Sequence, residues 1–274
     1  MNGTLYIVAT PIGNLEDITY RAVRILGEAD LIACEDTRQT RKLLDRYGIG
    51  KPLISYHEHN EEERSAELIR ELQAGRTVAL VSDAGTPLIA DPGYRLVRKA
   101  RESGIAVSPI PGPSAMLAAL SASGLPTDAF EFHGFFPAKH GQRVRALETL
   151  RDTEATHVFY EAPHRILETI DDIAVVLGAE RPVVVARELT KIHEEFLSGT
   201  AAEIQAQLRA RSAIKGEITV MIAKGAAMPV DQKPVGDAVA ELVAGGMPRM
   251  EAYKRVARER GLSKRDVYRQ CETK

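Results

Sequence analysis

The stretch Thr77–Gly93, "TVALVSDAGTPLIADPG", decides how the rest of the chain is read. An apolar, β-branched run ends at once in Ser82, Asp83, Ala84 and Gly85, and two prolines, Pro87 and Pro92, follow within a dozen residues. The run has the length and composition of a buried strand. Small residues at its exit let the backbone come close to another group, and the prolines stiffen the turn. The plainer reading of such a loop is a tight turn, and the surrounding sequence has to choose between the two.

Outward from this strand, short β-branched runs alternate with segments of helical periodicity. "TLYIVAT", "ITYRAVRILGEA", "ADLIACE", "TRQTRKLLDRYG", "LISY" and "EEERSAELIRELQAG" lead up to it in that order. This is the pattern of βαβ units around a largely parallel sheet. After a break at "SPIPGPSAM" the pattern resumes with "FEFHGFF", a helix through "GQRVRALETLR", the strand "THVFYE" and the helix "HRILETIDDIAVVLG". The closely spaced runs "PVVVARE", "EEFLSGT" and "EITVMIA" predict some antiparallel pairing. The expected fold class is therefore α/β, with an N-terminal domain over residues 1–112 and a second α/β domain over 113–224. "KGAAMPVDQKP" reads as a linker, and the helical residues 235–274 form a small third unit. No short-period repeat or low-complexity tract is present.

Composition narrows the function classes. The 274 residues carry 44% hydrophobic side chains and a formal net charge of −2, so a sizeable core is available and there is no global attraction for polyanions. Cys34 and Cys271 are the only cysteines, too few for a disulfide framework or a zinc motif, and they fit a reduced, cytoplasmic setting. The N-terminus lacks a basic leader, and the uncharged stretch 106–127 is broken by four prolines, so neither a signal peptide nor a membrane span is expected.

Parallel sheets bind ligands beyond the carboxyl ends of their strands. Three strand exits here are rich in glycine and proline: "VATPIGNLEDIT", "VSDAGTPLIADPG" and "PIPGPSAM". In the third, Gly112 and Pro113 are suited to open a helix, leaving amides near Ser114 and Ala115 to hold an anion. Neither G-x-x-x-x-G-K-[ST] nor G-x-G-x-x-G occurs at these exits, which weakens phosphoryl-transfer and ordinary dinucleotide readings.

The blocks "TLYIVATPIGNLEDIT", "ACEDTRQTRKLL", "YHEHNE", "LVSDAGTPLIADPG", "PIPGPSA", "FYEAPHRI" and "ARELTKIHEEFLSGT" resemble the ribosomal RNA small subunit methyltransferase I branch of the tetrapyrrole methylase superfamily. The resemblance runs from Thr4 to about Ala223. It implies a two-domain methyltransferase with S-adenosylmethionine in the cleft between domains, working as a homodimer on the ribose 2′-oxygen of a cytidine in the decoding region of 16S rRNA, cytidine 1402. Porphyrin-methylating relatives carry Gly-Asp-Pro where this chain has Ser82-Asp83-Ala84, a departure that favours the RNA branch.

By the same matching, Pro11, Val81, Ser82, Asp83, Gly85 and Thr86 contact the cofactor, with Ser114 and Ala115 near its carboxylate and Glu161 and Leu189 closing the other side. Asp83 has a helix cap as its alternative role. The resemblance also sets Arg38, Arg41, His164, Arg165, Arg187 and Lys191 beside the motifs, where they could hold RNA phosphates or simply be solvated. Methyl transfer needs in-line attack by a weakly acidic hydroxyl, so orientation carries most of the rate and a base helps. Glu161, Glu188 and Lys191 are the candidates, with structural ion pairing an equal account of all three. His57 and His59 in "YHEHN" have no further cysteine or histidine at a zinc-like spacing and are read as structural or substrate-side, without metal.

From Lys254 to Arg269, seven basic residues stand against two acidic ones. Lys254, Arg255, Arg258, Lys264, Arg265 and Arg269 form a basic helical unit with the layout of a helix-turn-helix, Ser263 and Asp266 being spaced as a capping pair. Such a unit supplies nonspecific nucleic-acid affinity. Two rivals stay open on sequence: a porphyrin methyltransferase, and a DNA-binding regulator whose α/β body senses a small molecule.

Overall fold

A computed structural model describes residues 2–225, 234–259 and 262–272. The "KGAAMPVDQKP" linker falls mostly outside the described residues, as do Arg260 and the side chain of Arg258.

The first half alternates strand and helix: β1 (Thr4–Val8), α1 (Tyr20–Glu28), β2 (Leu31–Cys34), α2 (Thr37–Arg46), β3 (Leu53–Ser55), α3 (Glu61–Gln73), β4 (Val78–Leu80), α4 (Tyr94–Glu102), β5 (Ala106–Ile110) and α5 (Ala115–Ala122). The five strands form one parallel sheet in the order β3-β2-β4-β1-β5. Its two faces are covered by separate apolar clusters, one around Val8, Leu26, Ile32 and Leu44, the other around Leu5, Leu68, Leu80 and Leu96. Burial on both faces is why these strands read as continuous apolar runs.

The second sheet contains β6 (Phe130–Phe135), β7 (Thr156–Glu161), β8 (Pro182–Arg187), β9 (Glu195–Thr200) and β10 (Ile218–Ile222), with α6 (His140–Thr149), α7 (Ile166–Leu177) and α8 (Ala201–Arg209) between them. The order is β6-β7-β10-β8-β9, parallel only at β6–β7 and antiparallel elsewhere. The "VVVAR" and "EEFLSGT" runs pair as the antiparallel β8–β9 ladder. Helix α8, absent from the sequence reading, begins at a full capping box in which Thr200 and Glu203 bond each other's main chain.

Both sheets belong to one compact unit, residues 1–148 with 155–223. A second unit comprises residues 149–154 and 224–274. In it, α9 (Val235–Ala244), α10 (Arg249–Glu259) and α11 (Lys264–Glu272) pack around Val239, Tyr253, Val256 and Val267. Ser263 accepts the Asp266 amide at 3.1 Å and opens α11. Among the described residues no helix is long and apolar enough to cross a membrane.

Candidate active site

Strand β1 lies between β4 and β5, so the loops leaving these three neighbours are forced together. The chain then ties them. Thr10 and Gly85 exchange both main-chain hydrogen bonds, at 2.8 and 2.9 Å. The Thr10 hydroxyl donates to Ser82 O at 3.1 Å, and the Thr86 hydroxyl donates to Pro113 O at 3.2 Å. Gly85 has φ +79°, which glycine adopts without strain. Its N–H and C=O are spent on Thr10, so its service is to fix the loop.

Beyond these loops lies a cavity of about 400 Å³, within the range that takes a cofactor-sized ligand. Asp83 to Thr86 and Ile89 to Asp91 supply one wall, Ser114 and Ala115 the start of α5, and Glu161 to Pro163, Leu189 and Gly216 to Thr219 the opposite side. Of the sequence candidates for the cofactor, Asp83, Gly85, Thr86, Ser114, Ala115, Glu161 and Leu189 line it. Pro11, Val81 and Ser82 are buried behind the lining. Ser114 caps its own helix by accepting from Leu117 N at 3.5 Å. Asp83 accepts the Asp36 amide at 3.0 Å, joining the β4 loop to the start of α2.

Among the described residues, four that are not glycine have positive φ: Leu88 (73°), Ala90 (66°), Glu188 (54°) and Thr190 (66°). They fall in two pairs, each flanking a cavity-lining residue, Ile89 and Leu189. Conformations of this kind cost about 1–3 kcal/mol apiece and persist where surrounding packing over-determines them. Gly216, with φ +92°, sits so close to Glu188 that a β-carbon there would stand 2.4 Å from Glu188 Cγ.

Each of the three candidate bases has a charged partner. Glu161 is 2% exposed, and its carboxylate accepts from Ala162 N at 2.7 Å and Thr169 Oγ1 at 2.6 Å and pairs with Arg165 at 2.7 Å. Lys191 bonds Glu188 at 2.8 Å and Glu217 at 2.9 Å. Burial pulls the Lys191 ammonium down, but the two carboxylates more than offset it and hold its pKa above the usual lysine value. The Lys191 hydrogen bond, with the Glu217 amide, holds Glu188 below the ordinary carboxylate range. All three are thus ion-paired, and Lys191 is kept charged. Its stem packs over Gly13, where a β-carbon would come within 2.5 Å of Lys191 Cγ.

Asp91 behaves oppositely: burial, then the neighbouring Glu35, pushes its carboxyl up to about 6. Asp91 sits inside the quoted loop, eight residues beyond Asp83, and follows a non-glycine residue, Ala90, in the left-handed region. Glu217 and Phe135, which also line the cavity, belong to strands or strand ends with no motif to mark them, whereas Tyr160 sits inside the "FYEAPHRI" block beside Glu161.

The other basic candidates are placed as follows. Arg38 is exposed and paired with Asp36 at 2.7 Å, which holds the Asp36 carboxyl down to about 2. Arg41 donates to Lys51 O at 3.2 Å, and Arg187 is engaged by Glu195 and by the carbonyls of Lys215 and His193. His164 is exposed. In the second unit Arg255, Lys264, Arg265 and Arg269 are exposed, and Lys254 pairs with Glu251 at 2.8 Å. His57 and His59 face each other edge-on at 5.9 Å in a turn organised by Asn60, which bonds His57 N and Ser55 O.

Residues 4–205 match the family model of the tetrapyrrole (corrin/porphyrin) methylases. The chain belongs to this family. It is 52% identical to the ribosomal RNA small subunit methyltransferase I of Halalkalibacterium halodurans over 97% of this chain and 93% of that relative. It is 48% identical to the protein of that name from Synechocystis, covering 97% and 96%. The fold also resembles a Thermus thermophilus uroporphyrin-III-C-methyltransferase (TM-score 0.56, 21% identity, 81% of this chain and 94% of that one) and a diphthine synthase (TM-score 0.62, 16% identity, 81% and 90%). This tetrapyrrole methylase is a methyltransferase of the ribosomal RNA small subunit methyltransferase I group, and its cofactor is S-adenosylmethionine.

The cavity suits that cofactor chemically. Ile12, Ile89 and Phe135 offer apolar surface, and the acidic Asp83 and Asp91 face a molecule that carries a sulfonium and an ammonium. When bound, S-adenosylmethionine supplies a methyl group made electrophilic by the sulfonium.

Proposed function

We propose that this methylase transfers a methyl group from S-adenosylmethionine to the ribose 2′-oxygen of a cytidine in the decoding region of 16S rRNA, cytidine 1402, within the small ribosomal subunit. The observation that supports the reading is the extent of the match: identity to the H. halodurans relative covers 97% of the chain, beyond the family model's end at residue 205 and so into helices α9–α11, of which α10 and α11 carry the basic residues.

In this reading residues 1–112 and 113–224 are the two lobes that hold the cofactor, and residues 235–274 dock RNA. Lys254, Arg255, Lys264, Arg265 and Arg269 supply phosphate contacts without sequence discrimination. Of Arg38, Arg41, His164, Arg165 and Arg187, the exposed Arg38 and His164 are best placed for RNA. The active species is a homodimer in the cytoplasm.

The chain's contribution to the chemistry is chiefly orientation. Glu161 fixes the end of β7 to α7, while the Lys191, Glu188 and Glu217 cluster sets a charged rim against which the ribose hydroxyl is aligned. Lys191, held protonated, orients the nucleophile; Glu188 is a weak proton acceptor, so holding the hydroxyl in line does more for the rate than proton removal.

The test is incubation of the full chain with methyl-labelled S-adenosylmethionine and small subunits from cells lacking this activity, followed by nuclease mapping. Label on a 2′-oxygen of the decoding-region cytidine is expected. Label elsewhere, or none on subunits or naked 16S rRNA despite measured cofactor binding, overturns the proposal, and methylation of uroporphyrinogen instead would assign the porphyrin branch.

A further inference from the structure

Strand β6 is an edge strand whose one neighbour in the sheet is β7. Glu131 is in register with His157 across that parallel pair, and His133, two residues on from Glu131, points to the same face. His133 Nε2 and His157 Nδ1 are 3.0 Å apart, and Glu131 Oε2 is 3.6 Å from each. The three ligand atoms therefore form a compact triangle on the sheet surface.

We propose that Glu131, His133 and His157 form a binding site for a divalent transition metal of the zinc type. An ion about 2.05 Å from all three atoms lies roughly 0.5 Å out of their plane, close to the roughly 0.7 Å of an ideal tetrahedral centre with such bond lengths. Two imidazoles and one carboxylate select this class of metal over magnesium or calcium, which favour oxygen donors. His157 is fully buried and His133 stacks on Phe159 at 4.6 Å, so both rings are fixed before a metal arrives. The charge of Arg181 opposes a cation near His157. Glu131, about half exposed, leaves the fourth position to solvent.

The consequence is a staple. The pairing of β6 with β7 slips between Phe132 and Phe135, and Phe135 lines the cofactor cavity. His133 lies within that slip, so a metal held by it pins the edge strand where its pairing is irregular.

The test uses the full chain, free of any affinity tag and stripped with a chelator. Cobalt(II) is expected to bind with one equivalent and give the intense visible absorption of a tetrahedral ion, and zinc should abolish that absorption. His133→Ala should weaken binding by ~10-fold or more, Glu131→Gln should weaken it less, and His59→Ala should leave it unchanged. A change at the buried His157 would disturb the sheet, so the second readout is wild-type protein with nitrogen-labelled histidine. There, zinc should move the ring resonances of two of the seven histidines. Absence of binding, an octahedral cobalt spectrum, or binding lost in His59→Ala but kept in His133→Ala overturns the proposal and leaves a plain histidine–histidine hydrogen bond.

Discussion

Thr10 and Gly85 stand 75 residues apart in sequence and are joined by two main-chain hydrogen bonds that fasten the exit of β4 to the exit of β1. Gly85→Val puts a branched side chain at φ +79° and breaks that pair. The expected cost is about 1–3 kcal/mol of stability and a cofactor Kd raised at least ~10-fold, read by denaturant unfolding and calorimetry. Gly48, at φ +66° with open space around a built β-carbon, is the comparator: Gly48→Ala should lower stability and leave the cofactor Kd unchanged.

Gly216→Ala drives a methyl group into Glu188, 2.4 Å from Cγ where no side chain can stay. Glu188 must move, and the Lys191 contact moves with it. The expected outcome is a folded protein whose kcat/KM for methyl transfer falls about 10- to 100-fold, about 1.4–2.7 kcal/mol of transition-state stabilisation. Circular dichroism and single-turnover kinetics together check it.

Asp91 gives the site a pH dependence. Its carboxyl, pushed to about 6 by burial and Glu35, is neutral below that pH and charged above it. A cationic cofactor is favoured by the charged form, so affinity should rise with pH, by up to roughly tenfold between pH 5 and pH 7. Asp91→Asn should flatten that profile. Stability moves the other way: an unfolded aspartate ionises near 3.9, so the cofactor-free fold should lose stability as pH rises from about 4 to about 6.

Arg143, 1% exposed, donates from Nε to Asp172 at 2.6 Å on the far side of α7 from solvent. Asp172→Ala leaves the buried guanidinium with the longer, 3.5 Å contact to the exposed Glu168 and should cost about 3 kcal/mol. The double variant Arg143→Met with Asp172→Leu should recover most of that loss in urea unfolding, because neither charge is then stranded.

The alternation of strands and helices, the antiparallel ending of the second sheet and the convergence of the three loops were legible in the sequence, because period and turn chemistry are local signals. Asp83, Gly85, Thr86 and Ser114 announce themselves by the company they keep in "SDAGTP" and "PGPSAM". What stayed hidden depends on long-range register. Glu131, His133 and His157 meet only because β6 pairs with β7 in one register, and the Lys191, Glu188 and Glu217 cluster needs β10 beside β8. Helix α8 was legible in principle from Thr200 and Glu203 but was masked by its position directly after a strand. The positive φ of Leu88 and Ala90 has no sequence signal at all, since the residues that usually mark it are absent there.

The seating of Lys191 over Gly13 bears on how such enzymes can be recombined. The first half of the chain contributes a missing side chain, the second half the lysine that occupies its place, and neither sequence alone records the fit. A chimaera that takes residues 113–224 from a distant relative and keeps this N-terminal half would inherit a lysine-shaped gap or a collision at position 13. Grafting the two together, residue 13 with the 188–191 loop, is the smallest exchange that preserves the seam.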